Sequence, residues 1–254
     1  MGIDFYNWML VFLRLSAFLM ALPFFSMANF PVTMRVAIGA LGALLIAPVL
    51  PPFPLNHLDF FSLLGVMIQE VSIGLLLGFV SRMIFYALEI AGSVISSEMG
   101  LNLAAIFDPT NQESSPIAGT ILVLLATVVL LVLNLHHWML LAFVHTYDVL
   151  PAGGAHLNSA LFETIVAQTS HVFMIALQIS APIIAASFVI TLVFSMLSRA
   201  VPEMNVFSEM FGFRIVGGLI VFGFTLQLSA QYVANYLNRL PNDLLAVAQM
   251  MGGK

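Results

Sequence analysis

Three histidines, His136, His137 and His145, are the residues of this chain best able to hold a metal, and their spacing argues against it. A His-Glu-x-x-His zinc site needs two imidazoles four residues apart on one helix face, with a carboxylate beside them. His136 and His145 are nine residues apart, on opposite sides of a helix, and no cysteine is present to complete a site. They read instead as polar side chains at the edge of an apolar run, with Trp138 as an interfacial anchor. Nucleophilic catalysis has no better footing. There is no G-x-S-x-G elbow, and no serine stands at a recognisable spacing from a histidine and a carboxylate. The single lysine, Lys254, serves neither a G-x-x-x-x-G-K-[ST] phosphate loop nor an internal Schiff base. No metal, cofactor or catalytic residue is expected, so the energy for any work must come from elsewhere.

The remaining polar chemistry sits inside apolar sequence. Glu70, Arg82, Glu89 and Glu98 all lie between Phe60 and Phe107, 48 residues without a proline. A charge at bilayer mid-depth costs about 2.5–3.5 kcal/mol, so these side chains are expected to pack against protein or water. Arg82 and Glu89 share a helix face, yet seven residues of helix separate them by about 10 Å, too far for a direct bond. Small residues recur at four-residue spacing, Gly74 with Gly78, then Gly92, Ser96 and Gly100. Such ridges let helices approach closely, either within one chain or between subunits. A second polar feature is the run from Asp108 to Pro116, nine residues without an apolar side chain in the middle of the longest hydrophobic stretch.

The elements that must position these residues follow from composition. Of 254 residues, 61% are hydrophobic and 7% charged, against about 25% charged in an average soluble domain. The fold class is an all-α integral membrane protein. The net charge of −5 is thinly spread and no basic run offers a nucleic-acid surface. Apolar runs long enough to cross a bilayer lie at 5–30, 34–53, 60–107, 117–150, 161–198 and 215–237. The first carries Asp4 and Arg14 and reads as retained rather than as a cleaved signal. Separators are Pro31, the Pro51–Pro54 cluster, Pro109 with Pro116, Pro151 with Gly153 and Gly154, and Pro202. A single helix over 60–107 would be about 72 Å long, more than twice a hydrocarbon core of about 30 Å. Either it folds back near Glu89–Gly100 or part of it lies outside the membrane. The 199–214 segment is expected to be a cytoplasmic loop, and the tail after Arg239 a short amphipathic helix with Leu244, Leu245, Ala248 and Met251 on one side.

Three stretches together resemble the flagellar type III export-gate family known as FliR. They are "EMGLNLAAIFDPTNQESSPIAG", with its Met-Gly helix end, Asp-Pro-Thr and later proline; "HHWMLLAFVHTYDVLPAGG", a His-rich helix ending in Leu-Pro and glycine; and "SRAVPEMNVFSEMFGFRIVGGL". The last matches the pattern Arg-Ala-x-Pro-x-x-Asn-x-Phe at Arg199, Ala200, Pro202, Asn205 and Phe207. The resemblance implies kinked helical hairpins, a P-like region over 1–155, a Q-like hairpin over 156–237 and the tail 238–254. It implies a helical assembly with five P and four Q subunits around a channel in the bacterial inner membrane, within the flagellar basal body. FlhB-type and FlhA-type export proteins, the MS ring and unfolded export substrates would be further partners. A loop over about 106–118 would plug that channel, through Phe107, Asp108, Pro109, Thr110, Asn111, Gln112, Glu113, Ser114, Ser115 and Pro116. Arg199, Pro202, Asn205 and Phe207 would form the turn at its cytoplasmic entrance. The equivalent gate subunit of a virulence injectisome (SctT-type) is the near alternative. A small-solute carrier using Glu70, Arg82 and Glu89 is the alternative from another class.

Overall fold

A computed structural model of the chain describes residues 5–22, 31–51, 59–101, 116–155, 159–200 and 206–252, with the backbone alone at 160 and 206–208. The expected plug residues Phe107 to Ser115, the entrance residues Pro202 and Asn205, and the Phe207 side chain lie outside the described residues. Seven helices are described: α1 (Phe5–Ala21), α2 (Val32–Ile46), α3 (Phe60–Glu98), α4 (Ile117–Val132), α5 (Leu135–Val149), α6 (Ser159–Ala200) and α7 (Val206–Met251). No strand occurs among the described residues.

Local sequence explains where these helices start and stop. Pro31 and Pro116 each stand immediately before a helix, where a missing N–H removes no helical hydrogen bond. Gly100, at φ 75°, ends α3. There the Leu101 N–H reaches the Ser96 carbonyl at 2.9 Å and the Gly100 N–H reaches Ser97 at 3.1 Å, the paired bonds of a Schellman stop. The run 117–150 is broken at Asn134, whose φ of 53° places it in the left-handed region that asparagine tolerates.

One of two alternatives is removed and two expectations are corrected. The long proline-free run does not fold back at Glu89–Gly100; α3 runs unbroken to Glu98 because its buried positions Ile84, Leu88, Ala91 and Ile95 keep one helical face continuous. The expected 199–214 loop is helical at 199–200 and at 206–214. The tail after Arg239 is no separate helix; α7 continues through Pro241, with Leu237, Leu240, Leu244, Val247, Ala248 and Met251 all buried. Of the tail residues named above, Leu245 is only half-buried.

The chain forms two compact units interleaved along its sequence. One comprises residues 1–83, 134–168 and 238–254, the other 84–133 and 169–237. In the first, α1 packs on α2: the Asn7 side-chain amide donates to the Ala47 carbonyl at 3.0 Å and the Trp8 indole N–H to Ala40 at 3.3 Å. Phe18 of α1 stacks on Phe143 of α5 at 4.9 Å. In the second, buried positions recur at helical spacing, Leu122, Ala126 and Leu130 on α4, and Val172, Ala176, Ile179 and Ile183 on α6.

The outer faces are apolar too. Phe173, Phe188 and Met196 on α6 and Phe224 on α7 are all more than 60% exposed, which in water would be an association or aggregation surface. Among the described residues three helices are long and apolar enough to span a membrane, Phe60–Glu98, Leu161–Ala200 and Glu209–Met251; α4 and α5, bent by 74° at their junction, pass the same test only when taken together. This is an all-α membrane protein. Its three long helices, of 39, 42 and 46 residues, would measure roughly 58–69 Å. Each is longer than a hydrocarbon core of about 30 Å.

Candidate functional site

Two constellations stand out, one in each unit. In the first unit, Arg14 of α1 and Glu70 of α3 form a fully buried fork. Arg14 Nε lies 2.5 Å from Glu70 Oε2, and a terminal guanidinium nitrogen lies 2.9 Å from Oε1. The other terminal nitrogen donates to the Leu150 carbonyl at 3.0 Å, and the guanidinium lies 4.0 Å from the centre of the Tyr147 ring. Glu70 Oε1 also accepts from the Gly153 N–H at 3.0 Å. The segment it grips is a turn closed by the Gly154 N–H on the Pro151 carbonyl at 3.0 Å. Gly153 sits there at φ 72°, a position that glycine fills without strain. Gln69 ties the same segment by donating to the Ala155 carbonyl. The ion pair therefore joins α1, α3 and the end of α5.

Close packing brings α1 and α3 together. A Cβ at Gly74 would stand 2.3 Å from the Arg14 carbonyl oxygen, and one at Gly78 would stand 2.3 Å from the Ala21 Cβ. Both glycines of this motif meet the chain's own first helix.

In the second unit, the residues that flank 102–115 on either side are held in place. On one side α3 stops at Gly100 as described above. On the other, Gly92 meets Gly119 so closely that a Cβ at Gly92 would be 2.0 Å from the Gly119 Cα. Pro116 has no side chain able to cap α4, and the Ser96 hydroxyl takes that role, accepting from the Ala118 N–H at 3.3 Å. Gly100 differs from the other ridge residues, because its left-handed φ ends the helix.

Two further helices meet this base. The Ser187 hydroxyl of α6 donates to the Glu98 carbonyl at 3.3 Å, and a Cβ at Gly218 of α7 would lie 2.5 Å from the Met99 Cγ. Within this unit α6 and α7 are antiparallel, with Ile190 against Gly217, Thr191 against Arg214 and Phe194 against Phe213. The Arg214 guanidinium donates to the Thr191 hydroxyl at 2.6 Å, and the two phenyl rings are 5.1 Å apart. The pair is thus a hairpin whose connection, 201–205, falls on the Arg-Ala-x-Pro segment; Arg199, at its margin, is exposed.

The four charges singled out on α3 do not share one environment. Glu70 is fully buried, Arg82 and Glu98 are half-buried, and Glu89 is exposed. Glu89 lies off the face formed by Leu88, Ala91 and Ile95. Both Glu70 oxygens are occupied by Arg14 and Gly153, an arrangement that leaves no open carboxylate for a solute. The sequence reading missed Arg14 as its partner. The available signal was Arg14 itself, a cation within an apolar run that required a carboxylate from elsewhere. The His136 and His137 rings lie 4.1 Å apart, whereas His145 pairs with Asp148 on an exposed surface at 2.9 Å.

The model of a family described as bacterial export proteins, family 1, matches residues 5–240. The chain is similar to the flagellar biosynthetic protein FliR of Escherichia coli (strain K12), with 28% identity over 242 residues, 95% of this chain and 92% of that protein. It is similar to the flagellar biosynthetic protein FliR of Bacillus subtilis (strain 168), with 31% identity over 202 residues, 78% of each. The protein of that name from Aquifex aeolicus (strain VF5) is 25% identical over 231 residues, 90% of this chain and 88% of that protein.

Proposed function

We propose that this chain, which belongs to family 1 of the bacterial export proteins, forms part of the flagellar export channel and closes it with its polar stretch. It is a membrane-embedded subunit of the flagellar export apparatus. The named relatives are flagellar, which favours this reading over the injectisome subunit. In our reading the chain is non-enzymatic, resides in the bacterial inner membrane, and joins the P and Q subunits with FlhB-type and FlhA-type proteins inside the MS ring. Unfolded rod, hook and filament proteins would pass one chain at a time. The proton-motive force and a separate ATPase would drive them.

One observation supports the plug reading: the residues flanking 102–115 on either side are held on the same base. The Gly100 stop holds one side, and Gly92, Gly119 and Ser96 hold the other, with α6 and α7 beside them. Polar residues between such anchors cannot face lipid but can fill a wet pore, and Pro109 and Pro116 stiffen the segment. The P-like region 1–155, the Q-like hairpin 156–237 and the tail 238–254 are part of the same reading. So is the placing of Arg199, Pro202, Asn205 and Phe207 at the cytoplasmic entrance.

The test is removal of this chain's gene from its own bacterium. Secretion of hook and filament proteins should stop and return with a plasmid copy, and a tagged copy should bring down P and Q subunits from solubilised membranes. Wild-type secretion without the gene would overturn the proposal.

A further inference from the structure

Two opposite charges in the second unit stand near one another with neither neutralised. Glu98, at the end of α3, and Arg214, on α7, are both half-buried. Among the described residues no ion pair reaches either, and the Arg214 Nε is buried without a hydrogen-bond partner. A charge held in partly apolar surroundings costs free energy unless it is paired.

Side chains on α6 fix where the two lie. Ser187 and Thr191 are one turn apart on that helix, about 6 Å of rise, and the Thr191 hydroxyl donates to the Ser187 carbonyl at 2.7 Å. Ser187 donates to the Glu98 carbonyl at 3.3 Å, while Thr191 accepts from the Arg214 guanidinium at 2.6 Å. On α7, Arg214 stands one turn before Gly218, whose missing side chain admits Met99. Both helices therefore put Glu98 and Arg214 at adjacent turns. The other described charges of this unit are further off. Glu89 is nine residues from Glu98, about 14 Å along α3. Arg199 is exposed, about 12 Å along α6 from Thr191, and Glu209 is exposed, five residues from Arg214 and on another side of α7.

A carboxylate accepts from a guanidinium more strongly than a hydroxyl does, and can take it in two parallel bonds. The setting seen here, with Arg214 on Thr191, leaves that stronger contact unmade one turn away. We propose that Glu98 and Arg214 form a switchable ion pair, in which Arg214 exchanges the Thr191 hydroxyl for the Glu98 carboxylate and so ties the Gly100 end of α3 to α7. The exchange needs only rotation of a long side chain or a one-turn slide of α7. Glu98 lies two residues before the Gly100 stop, so the pair acts on the helix end from which residues 102–115 depart. In that consequence the inference deepens the plug reading and rests on it.

The test is a charge cycle in the chain's own bacterium, read as hook protein secreted into the medium, with the membrane level of the tagged chain measured alongside. Glu98→Gln and Arg214→Gln should each lower secretion several-fold, and the double variant should be no worse than either. Glu98→Arg and Arg214→Glu should each abolish secretion, and the two together should restore it well above both. Additive losses, or an exchanged pair no better than its single members at equal membrane level, would overturn the proposal. So would a loss with Arg214→Gln that Glu98→Gln does not share, because the counter-charge of Arg214 would then lie in a neighbouring subunit or a lipid. Gene removal in the same strain separates the readings: if it stops secretion while every variant secretes normally, the pair fails and the export reading stands. Rescue by the exchange, together with an unchanged ion leak on deleting Asn111 to Ser115, would keep the pair and remove the plug.

Discussion

Replacing Glu70 with glutamine tests the buried fork with the smallest change of shape. One oxygen becomes an amide whose hydrogens face either Arg14 Nε–H or the two donors now shared by Oε1, Arg14 and the Gly153 N–H. Arg14 is then a buried cation without its counter-charge, a situation that costs about 3–5 kcal/mol. At about 2–4 °C per kcal/mol for a chain of this size, the unfolding midpoint should fall by roughly 6–20 °C. Both tryptophans, Trp8 and Trp138, belong to the unit that contains the ion pair. Intrinsic fluorescence of the detergent-solubilised chain during heating therefore reports on that unit. The Arg14→Met, Glu70→Met double variant holds no lone charge and should regain part of the loss. It should not regain all of it, since the Leu150 carbonyl and Gly153 N–H stay unpaired. An unchanged midpoint for Glu70→Gln would refute the assignment of the fork as the joint between α1, α3 and α5.

Three further outcomes are expected. Gly74→Ala places its Cβ against a backbone carbonyl rather than a movable side chain, so it should destabilise by about 1–3 kcal/mol, whereas Gly65→Ala, in open space, should be tolerated; melting of the two variants side by side checks this. Gly92→Ala must push α3 from α4 at Gly119; membranes carrying an assembled Gly92→Ala gate should leak ions, measured as dissipation of the membrane potential. Replacing Pro202 or Asn205 with alanine should reduce secretion of hook protein, assayed in culture supernatants, if the α6–α7 turn forms the channel entrance.

Much of the element order was legible because the breakers act locally. Pro31, Pro116 and the Pro151–Gly154 turn set boundaries through missing N–H groups or a positive φ, which depend only on neighbours in sequence. Pro241 acts otherwise. A proline ordinarily marks a helix end, but the buried face from Leu237 to Met251 carries α7 through it. The Arg14–Glu70 pair was illegible because its partners are 56 residues apart. Spacing could compare Glu70 only with neighbours such as Arg82, and nothing local favours a distant cation. The small-residue ridges announced close packing but not the partner helix. Whether Gly74 meets α1 or another subunit depends on tertiary arrangement alone.

The most direct measurement removes Asn111 to Ser115, confirms by copurification with the P and Q subunits that the gate still assembles, and compares ion leak across the inner membrane with the undeleted chain. The account predicts a leak at rest, because the polar stretch would close a pore. An assembled, leak-free gate would contradict it and leave residues 102–115 a plain connection between α3 and α4.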